Sequence, residues 1–166
     1  MVDLLVTYLQ MTEPPRGEPL HIPDLETSIT REVPRAEAYL LLYRAIGDYV
    51  QWDHRLRMSH DELVQFLNAT SSHIYVLRWN TEAVGLCEFE GVGTPDIELV
   101  HFGVVPAMQG RGLGRYLLDR ALRAVWSYGP RRIWLHTDTN DHRNAISTYM
   151  RADFKIYKRQ METFDD

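Results

Sequence analysis

The sequence predicts a single α/β domain over residues 1–166, in which strands and helices are interleaved along the chain. Three observations support this. The length and the composition, 45% hydrophobic and 25% charged, are those of one globular domain. Short apolar runs typical of strands separate stretches in which apolar residues recur every three to four positions. A glycine-rich turn at 109–114 joins an apolar strand directly to an amphipathic helix.

The N-terminal half is predicted to begin with a strand and to continue with two helices. Leu4–Leu9 is the strand, and a loop rich in proline follows it. Residues 20–34 alternate apolar and polar positions between prolines, which suits either a short strand or an extended excursion. A helix is expected over 35–47, ending at a glycine. The second helix starts at Ser59, which forms the sequence pattern of a capping box with Glu62.

The rest of the chain is predicted to hold five further strands and two helices. Residues 74–78 and 83–90 flank a short turn and form an antiparallel pair. Residues 97–105 form the strand that leads into the glycine-rich turn, and 113–127 form the helix after it. The last elements are strands at 131–137 and 154–162, on either side of a helix. The predicted order is therefore β-αα-βββ-α-β-α-β.

The segment Gln109-Gly110-Arg111-Gly112-Leu113-Gly114, here named the glycine turn, is the most informative part of the chain. Its three glycines at alternate positions leave backbone N–H groups uncovered at a helix start. The unpaired donors and the helix dipole both favour an anion there. The turn lacks the Gly-Lys-Ser/Thr ending of a P-loop and the G-x-G-x-x-G spacing of a dinucleotide site. It therefore predicts a phosphate site of another kind.

Two segments resemble the GNAT superfamily of acyl-CoA-dependent N-acyltransferases. The glycine turn, preceded by Val105-Pro106, is similar to the family's Gln/Arg-x-x-Gly-x-Gly/Ala signature. Residues 140–154 resemble the family's helix that carries Asn, Ala and Tyr and ends at Gly-Phe. Asp153 stands where the family usually has that glycine, and Asp tolerates a left-handed backbone better than most residues. The matching residues of this second segment are Asn144, Ala145, Ile146 and Tyr149.

The resemblance implies a central, mostly antiparallel mixed sheet flanked by helices on both faces, and acetyl-CoA as the cosubstrate. The glycine turn would hold the pyrophosphate, and the pantetheine arm would pair with the strand before it. Asn144 would either contact the pantetheine or cap its own helix. No His or Cys spacing suggests a metal site. The expected cofactor-binding residues are Phe102, Val104, Gln109, Gly110, Arg111, Gly112, Leu113, Gly114 and Asn144.

Transfer to an amine needs one group to take a proton from the amine and another to give a proton to the leaving thiolate. Glu98 is the first candidate base, because it is charged within an apolar strand and matches the family's usual position. Glu88, Glu90 or water alone are the alternatives. Strand alternation places His101 on the opposite face from Glu98. Tyr149, which also matches the family, is the expected proton donor.

Charge is unevenly distributed along the chain. Residues 1–100 hold 7 Lys+Arg and 16 Asp+Glu, and residues 101–166 hold 11 and 7, so the two parts have net charges of −9 and +4. The acidic part is expected to hold a site for a cationic amine. The overall charge of −5 argues against a nucleic-acid partner. Tyr49, Trp52 and Asp53 either contact the acceptor or belong to an aromatic core patch.

The function these features predict is transfer of an acetyl group from acetyl-CoA to a primary amine of a small molecule or peptide. The amine would attack directly within a ternary complex. The alternatives are a non-catalytic CoA-binding sensor, or an acyltransferase that uses another acyl group or a hydroxyl acceptor. A turnover assay separates the sensor from the enzyme.

The sequence also bears on location and partners. It has no apolar run long enough to span a membrane and no basic N-terminal segment typical of a secretory signal. The single cysteine, Cys87, cannot form an internal disulfide and is expected to be buried as a small apolar residue. A cytoplasmic protein without a membrane partner is therefore expected. The oligomeric state stays open, with a homodimer as one alternative.

Overall fold

Apolar runs and amphipathic stretches form one sheet with helices against it. The computed structural model describes residues 1–165. The strands are β1 (Val2–Met11), β2 (Thr27–Glu32), β3 (His73–Trp79), β4 (Glu82–Glu90), β5 (Asp96–Val104), β6 (Arg132–Asp138) and β7 (Lys155–Phe164). The helices are α1 (Ala36–Gly47), α2 (His60–Asn68), α3 (Leu113–Trp126) and α4 (Ala145–Arg151). Each of these helices is too short or too polar to span a lipid bilayer.

The strand order is β2-β3-β4-β5-β6-β1-β7. Every neighbouring pair is antiparallel except β5 and β6, which run parallel. The predicted mixed, mostly antiparallel sheet is therefore confirmed. The N-terminal strand β1 lies between β6 and β7, so the two ends of the chain are held together by the pairing of β1 with β7.

The ambiguous segment 20–34 contains β2, an edge strand that pairs with β3. Its alternating pattern was compatible with a strand, and pairing with β3 is what selects that conformation. The order of elements is thus ββ-αα-βββ-α-β-α-β, with one strand more than the sequence pattern alone assigned.

Local sequence signals set the ends of several elements as predicted. The Ser59 hydroxyl accepts a hydrogen bond from the Glu62 N–H at 3.1 Å, and the Glu62 carboxylate accepts one from the Ser59 N–H at 2.9 Å. This is the predicted capping box at the start of α2. After α4, Asp153 adopts a φ of +78°, and its carboxylate accepts a hydrogen bond from the Arg16 N–H.

Two apolar cores lie on opposite faces of the sheet. One packs α1 and α2 against alternate residues of β3 and β4, among them Ile74, Val76 and Leu86. The other packs α3 and Tyr149 of α4 against the opposite face and contains Cys87, which is fully buried as predicted. Burial raises the pKa of the Cys87 thiol well above its usual range, so this thiol stays neutral.

A buried ion pair fastens the segment that follows α1 to the sheet. The Arg55 guanidinium lies 2.7 Å from Glu88 of β4, and their side chains are 2% and 0% exposed. The Tyr39 hydroxyl also donates a hydrogen bond to Glu88, and the guanidinium stacks on the Phe66 ring. Burial alone would raise the pKa of Glu88, but His101 and Arg55 more than offset it and hold this pKa near 2.

We expect Glu88→Gln to lower the free energy of unfolding by about 3–5 kcal/mol, because the buried Arg55 guanidinium would lose its counter-charge at 2.7 Å and keep only the more exposed Glu90 at 3.4 Å. Urea unfolding at pH 7 measures the loss. The matched control is Glu32→Gln, which breaks the partly exposed pair between Glu32 and Arg78. That change should cost about 1 kcal/mol or less. Equal losses of stability in the two variants would contradict the assignment of Glu88 and Arg55 as a buried ion pair that stabilises the fold.

Candidate active site

The site begins where β5 and β6 separate. They pair only over Asp96–Glu98 of β5, so the rest of that edge of β5 has no partner strand. On the other edge, the Val105 N–H donates to the Val84 carbonyl of β4 at 2.8 Å. Backbone N–H groups point to alternate edges along a strand. The N–H groups of Phe102 and Val104 therefore point away from β4, toward the edge of β5 that has no partner strand. The Val104 carbonyl there accepts a hydrogen bond from the Gln109 side chain at 3.2 Å.

The glycine turn follows β5 and starts α3. Gly110 and Gly112 both have a φ of +78°, and Gly112 is the N-cap residue of α3. A Cβ at either position would meet no atom within 4 Å, so the turn faces open space. Glycine is required for this backbone, which other residues adopt only at a cost. The turn therefore presents the start of a helix to an unfilled cleft.

This cleft, here named the glycine-turn cleft, has a volume of about 260 Å³ and lies between β5, the glycine turn and α4. Arg115 also lines it, whereas Arg111 and Leu113 do not. The Leu113 side chain lies in the core at 2% exposure, so only its backbone remains available to a ligand. The predicted cofactor-binding residues that line the cleft are Phe102, Val104, Gln109, Gly110, Gly112, Gly114 and Asn144.

Asn144 occupies the N-cap position of α4, but its side chain makes no capping hydrogen bond. The capping role left open by the sequence is therefore wrong. The Asn144 N–H instead donates to the His142 ring at 3.1 Å, and Asn144 remains part of the cleft wall.

Tyr149 stands at the inner end of the glycine-turn cleft. It is 4% exposed, and its ring packs against Phe102 and Phe154 with centroid distances of 5.8 Å. Within residues 1–165 its hydroxyl has no hydrogen-bond partner. Burial, with a contribution from the Asp141 carboxylate, raises the pKa of Tyr149 well above its usual range. This phenol therefore stays protonated and can donate one hydrogen bond.

A second cavity of about 1020 Å³, here named the acidic trough, adjoins the glycine-turn cleft. Val50, Trp52, Phe102, Asp141 and Tyr149 line both, so the two cavities meet there. Among the described residues, carboxylates dominate the polar lining of the trough. They are Asp48, Asp53, Glu90, Glu98, Asp138, Asp141 and Asp165.

The expected separation of Glu98 and His101 is wrong because β5 contains a bulge. Glu90 lies opposite Glu98 and Glu88 lies opposite His101, so β5 has one residue more than β4 in this stretch. Since Glu88 and Glu90 share a face of β4, Glu98 and His101 share the corresponding face of β5. Both line the acidic trough.

His101 has a polar neighbour near each ring nitrogen, although within the described residues its Nδ1 makes no hydrogen bond. Its Nδ1 lies 3.3 Å from a Glu88 oxygen, and its Nε2 lies 3.3 Å from the Tyr43 hydroxyl. The Trp52 ring packs on it, with a centroid distance of 4.8 Å. His101 therefore forms part of the trough floor that the Glu88 ion pair supports.

Three carboxylates were candidate bases, and their surroundings differ. Glu88 is fully buried, ion-paired and strongly acidic, so it is unsuited to accept a proton. Glu90 is more exposed, at 40%, and lies 3.4 Å from Arg55. Glu98 is 25% exposed, and its nearest basic group is the His136 Nε2 at 3.7 Å. Burial, followed by repulsion from Glu90, raises the pKa of Glu98 to about 7.

The predicted acceptor residues divide between the two cavities. Asp53 lines the acidic trough. Trp52 lines both cavities and also packs on the Tyr43 ring. It therefore belongs both to the cavity wall, where an acceptor could contact it, and to an aromatic patch of the core. Tyr49 is 76% exposed and lines only the glycine-turn cleft, so it does not belong to an aromatic core.

Several polar residues of the trough wall were not predicted from the sequence, among them Asp48, Asp141, His136 and Asp138. Asp48 directly precedes Tyr49, and Asp141 lies within the segment 140–154 that resembles the family's helix. His136 and Asp138 follow Trp134 by two and four positions, and Trp134 lies beside Glu98 in the parallel pair. Strand alternation places both on the face of Glu98. Only the register of β6 against β5 shows that His136 and Asp138 lie on the same face as Glu98.

The chain matches the sequence profile of the Acetyltransferase (GNAT) family over residues 39–154. No curated protein matches the sequence significantly. Solved structures do match. A GCN5-related N-acetyltransferase from Sphaerobacter thermophilus has a TM-score of 0.66 at 18% identity, over 94% of this chain and 49% of that one.

Two further structures share the fold. An aminoglycoside acetyltransferase from an uncultured soil metagenomic sample has a TM-score of 0.63 at 17% identity, over 78% of this chain and 88% of that one. A tandem GNAT protein from the clavulanic acid biosynthesis pathway has a TM-score of 0.68 at 14% identity, over 94% of this chain and 51% of that one. The chain thus spans about half the length of the first and third of these proteins.

The raised pKa of Glu98 makes stability depend on pH. Between the ordinary value of 4.5 and about 7, the unfolded chain has lost the Glu98 proton while the folded protein keeps it, so stability falls as pH rises. We expect Glu98→Gln to be more stable than the wild type by about 1–3 kcal/mol at pH 8 and by much less at pH 5. Urea unfolding at both pH values measures this.

The control for this prediction is Glu82→Gln, at the exposed start of β4. Its stability difference from the wild type should be the same at pH 5 and pH 8. A pH-independent difference for Glu98→Gln as well would show that Glu98 has an ordinary pKa.

Proposed function

The chain belongs to the GNAT acetyltransferase family, and we propose that it transfers the acetyl group of acetyl-CoA to a primary amine within a ternary complex. The acceptor would be a small molecule or a peptide. The observation that carries this proposal is the meeting of the glycine-turn cleft and the acidic trough at Phe102 and Tyr149. A cofactor and an acceptor that enter from the two cavities would come together there. The single, buried Cys87 suits a reducing compartment, and we place the reaction in the cytoplasm.

The residues of the glycine-turn cleft fit the cofactor. The open space at Gly110 and Gly112 would take the pyrophosphate, and α3 begins there with its unpaired N–H groups. The unpaired edge of β5 offers the Phe102 and Val104 backbone to the amides of the pantetheine arm. Acetyl-CoA, when bound, supplies an acyl group activated as a thioester.

Glu98 is the proposed proton acceptor. An alkyl amine with a pKa near 10 is almost fully protonated at pH 7 and must lose a proton before its nitrogen can attack. With a pKa of about 7, Glu98 is ionised in part at neutral pH and binds a proton more tightly than an ordinary carboxylate. Glu98 takes this first proton directly or through water. The amine nitrogen then forms a bond to the acyl carbon, the carbon–sulfur bond breaks, and the second proton lost by the nitrogen passes to the leaving thiolate, which gives the amide and the free thiol.

Tyr149 is the proposed hydrogen-bond donor to the leaving sulfur. A thiol resembling free Cys has a pKa of about 8.5. Because the pKa of Tyr149 lies well above 10, full transfer of its proton to the thiolate would be unfavourable. Its unpartnered hydroxyl instead stabilises the developing negative charge, which grows only as the bond to sulfur breaks.

We expect Gly112→Val to weaken acetyl-CoA binding at least about tenfold, or about 1.4 kcal/mol, because a branched side chain would fill the space left for the pyrophosphate. Calorimetry measures the affinity, and circular dichroism checks the fold. The control is Gly129→Val, since Gly129 has a similar φ of +74° and equally open surroundings but does not line the cleft. Unchanged CoA affinity in Gly112→Val would overturn the cofactor site.

Tyr149→Phe should lower kcat by about 10²-fold, at the lower end of the range for removing one hydrogen-bond donor to a charge that develops in the transition state, with little change in the KM for acetyl-CoA. Only the transition state gains from the hydroxyl. Steady-state release of the thiol measures both constants. Tyr116→Phe changes another buried tyrosine of the same core and should leave kcat unaffected. If the two variants behave alike, Tyr149 has no part in the reaction.

A further inference from the structure

A bound thioester carries its acyl group to the place where the glycine-turn cleft and the acidic trough join. The residues that line both cavities there are Val50, Trp52, Phe102, Asp141 and Tyr149. We propose that the Trp52 ring closes the space around the acyl group, so that Trp52 sets the length of acyl chain the protein accepts and restricts it to a short one. This inference rests on the proposed binding of acetyl-CoA and goes beyond it by naming the residue that selects the acyl group.

The position of the acyl group follows from the proposed position of the sulfur. The Tyr149 hydroxyl is the proposed partner of the sulfur, and the Tyr149 ring packs on Phe102, with a centroid distance of 5.8 Å. The amine is proposed to arrive from the acidic trough, where Glu98 lies. The acyl carbon must therefore face the trough, and the rest of the acyl group meets the walls that the two cavities share.

Trp52 presents the largest apolar surface among the shared residues that are not assigned to the cofactor. Val50, two positions earlier, is smaller. The Asp141 carboxylate is polar and already accepts hydrogen bonds from the Thr137 hydroxyl at 2.6 Å and from the His142 N–H at 2.8 Å. A methyl group beside the acyl carbon is therefore best packed against the Trp52 ring.

The Trp52 ring lies close to the backbone that is proposed to bind pantetheine. A Cβ on Gly103 would lie 3.5 Å from Cη2 and 3.7 Å from Cζ2 of Trp52. Gly103 directly follows Phe102 in β5 and itself lines the glycine-turn cleft. The outer edge of the indole thus covers β5 next to the open edge of the strand, where a thioester would end.

The packing around Trp52 prevents the ring from moving aside. A Cβ on Gly47 would lie only 2.6 Å from Cβ and Cε3 of Trp52, so the end of α1 fits directly against this side chain. The Trp52 N–H donates to the Gly47 carbonyl at 3.0 Å. The Tyr43 and His101 rings pack on the indole with centroid distances of 5.3 and 4.8 Å. Displacing a ring packed in this way is costly, so a longer acyl chain meets a fixed wall.

The acidic trough offers a longer acyl chain no favourable alternative. Carboxylates dominate its polar lining among the described residues, and an alkyl chain laid along them would gain little from burial. Such a chain would also occupy the path of the amine toward Glu98. A longer acyl group must therefore either collide with Trp52 or block the acceptor.

The test compares the binding of acetyl-CoA and butyryl-CoA by calorimetry, without an acceptor. We expect the wild type to bind butyryl-CoA at least about tenfold more weakly, since one extra methylene in a close-fitting pocket is worth about 10–200-fold. Trp52→Leu should bring the ratio of the two Kd values close to one, because the smaller side chain leaves room for the added methylenes. Trp52→Phe, a milder change that circular dichroism can compare with the wild type, should give an intermediate ratio.

The matched control is Trp126→Leu. Trp126 is another partly buried tryptophan, packed on the core beside α3, and it lines neither the glycine-turn cleft nor the acidic trough. Its variant should keep the wild-type ratio. A ratio near one in the wild type, or a ratio that both Trp52 variants leave unchanged, would overturn the role of Trp52.

Thiol release in the presence of pentylamine, tyramine or 1,5-diaminopentane separates this inference from the proposed function. Equal kcat/KM values for acetyl-CoA and butyryl-CoA in the wild type would support acyl transfer and overturn the length limit. A preference for acetyl-CoA in binding that depends on Trp52, without thiol release to any of these amines, would support the length limit and contradict the proposed transfer.

Discussion

The site depends on the unequal pairing of β5. One edge of this strand is bonded to β4 along its length, while the other meets β6 only over its first three residues, Asp96–Glu98. The paired edge makes the strand rigid, and the open edge leaves Phe102 and Val104 with backbone groups to offer a ligand. The gap that opens beyond Glu98 is where α4 inserts Tyr149 and where the glycine-turn cleft and the acidic trough meet.

Glu88 and Glu98 lie on the same side of the sheet, but their different surroundings give the two carboxylates different roles. Glu88 meets a guanidinium, a phenol and an imidazole in the interior, and its pKa lies near 2. Glu98 is partly buried beside another carboxylate, and its pKa is about 7. Glu88 binds Arg55, so it holds the segment around Arg55 against β4 and supports the trough floor. Glu98 can bind a proton near neutral pH, as the proposed reaction requires.

Charge separates the two proposed substrates. The cleft at the start of α3 suits an anion because of its unpaired N–H groups and the nearby Arg115, and the trough suits a cation because carboxylates dominate its wall. Each ligand is therefore favoured in one cavity and disfavoured in the other. Residues 1–100 supply four of the seven carboxylates, in keeping with the acidity of that part of the chain.

The sequence by itself determined what short-range geometry controls. The glycine turn, the capping box at Ser59 and the left-handed Asp153 are each set by backbone conformations and hydrogen bonds within a few residues. The resemblance carried by the glycine turn and the α4 segment was enough to identify the family. Seven of the nine residues that the resemblance implied for cofactor binding line the glycine-turn cleft.

Only the tertiary structure decided what depends on pairing between distant segments. The bulge in β5 brought His101 to the face of Glu98, and the register of β6 added His136 and Asp138. Arg55 removed Glu88 from the candidate bases by ion pairing across the fold. Residues 27–32 became a strand because β3 offered an edge. None of these outcomes is fixed locally, because each depends on which hydrogen bonds and charges the folded chain brings together.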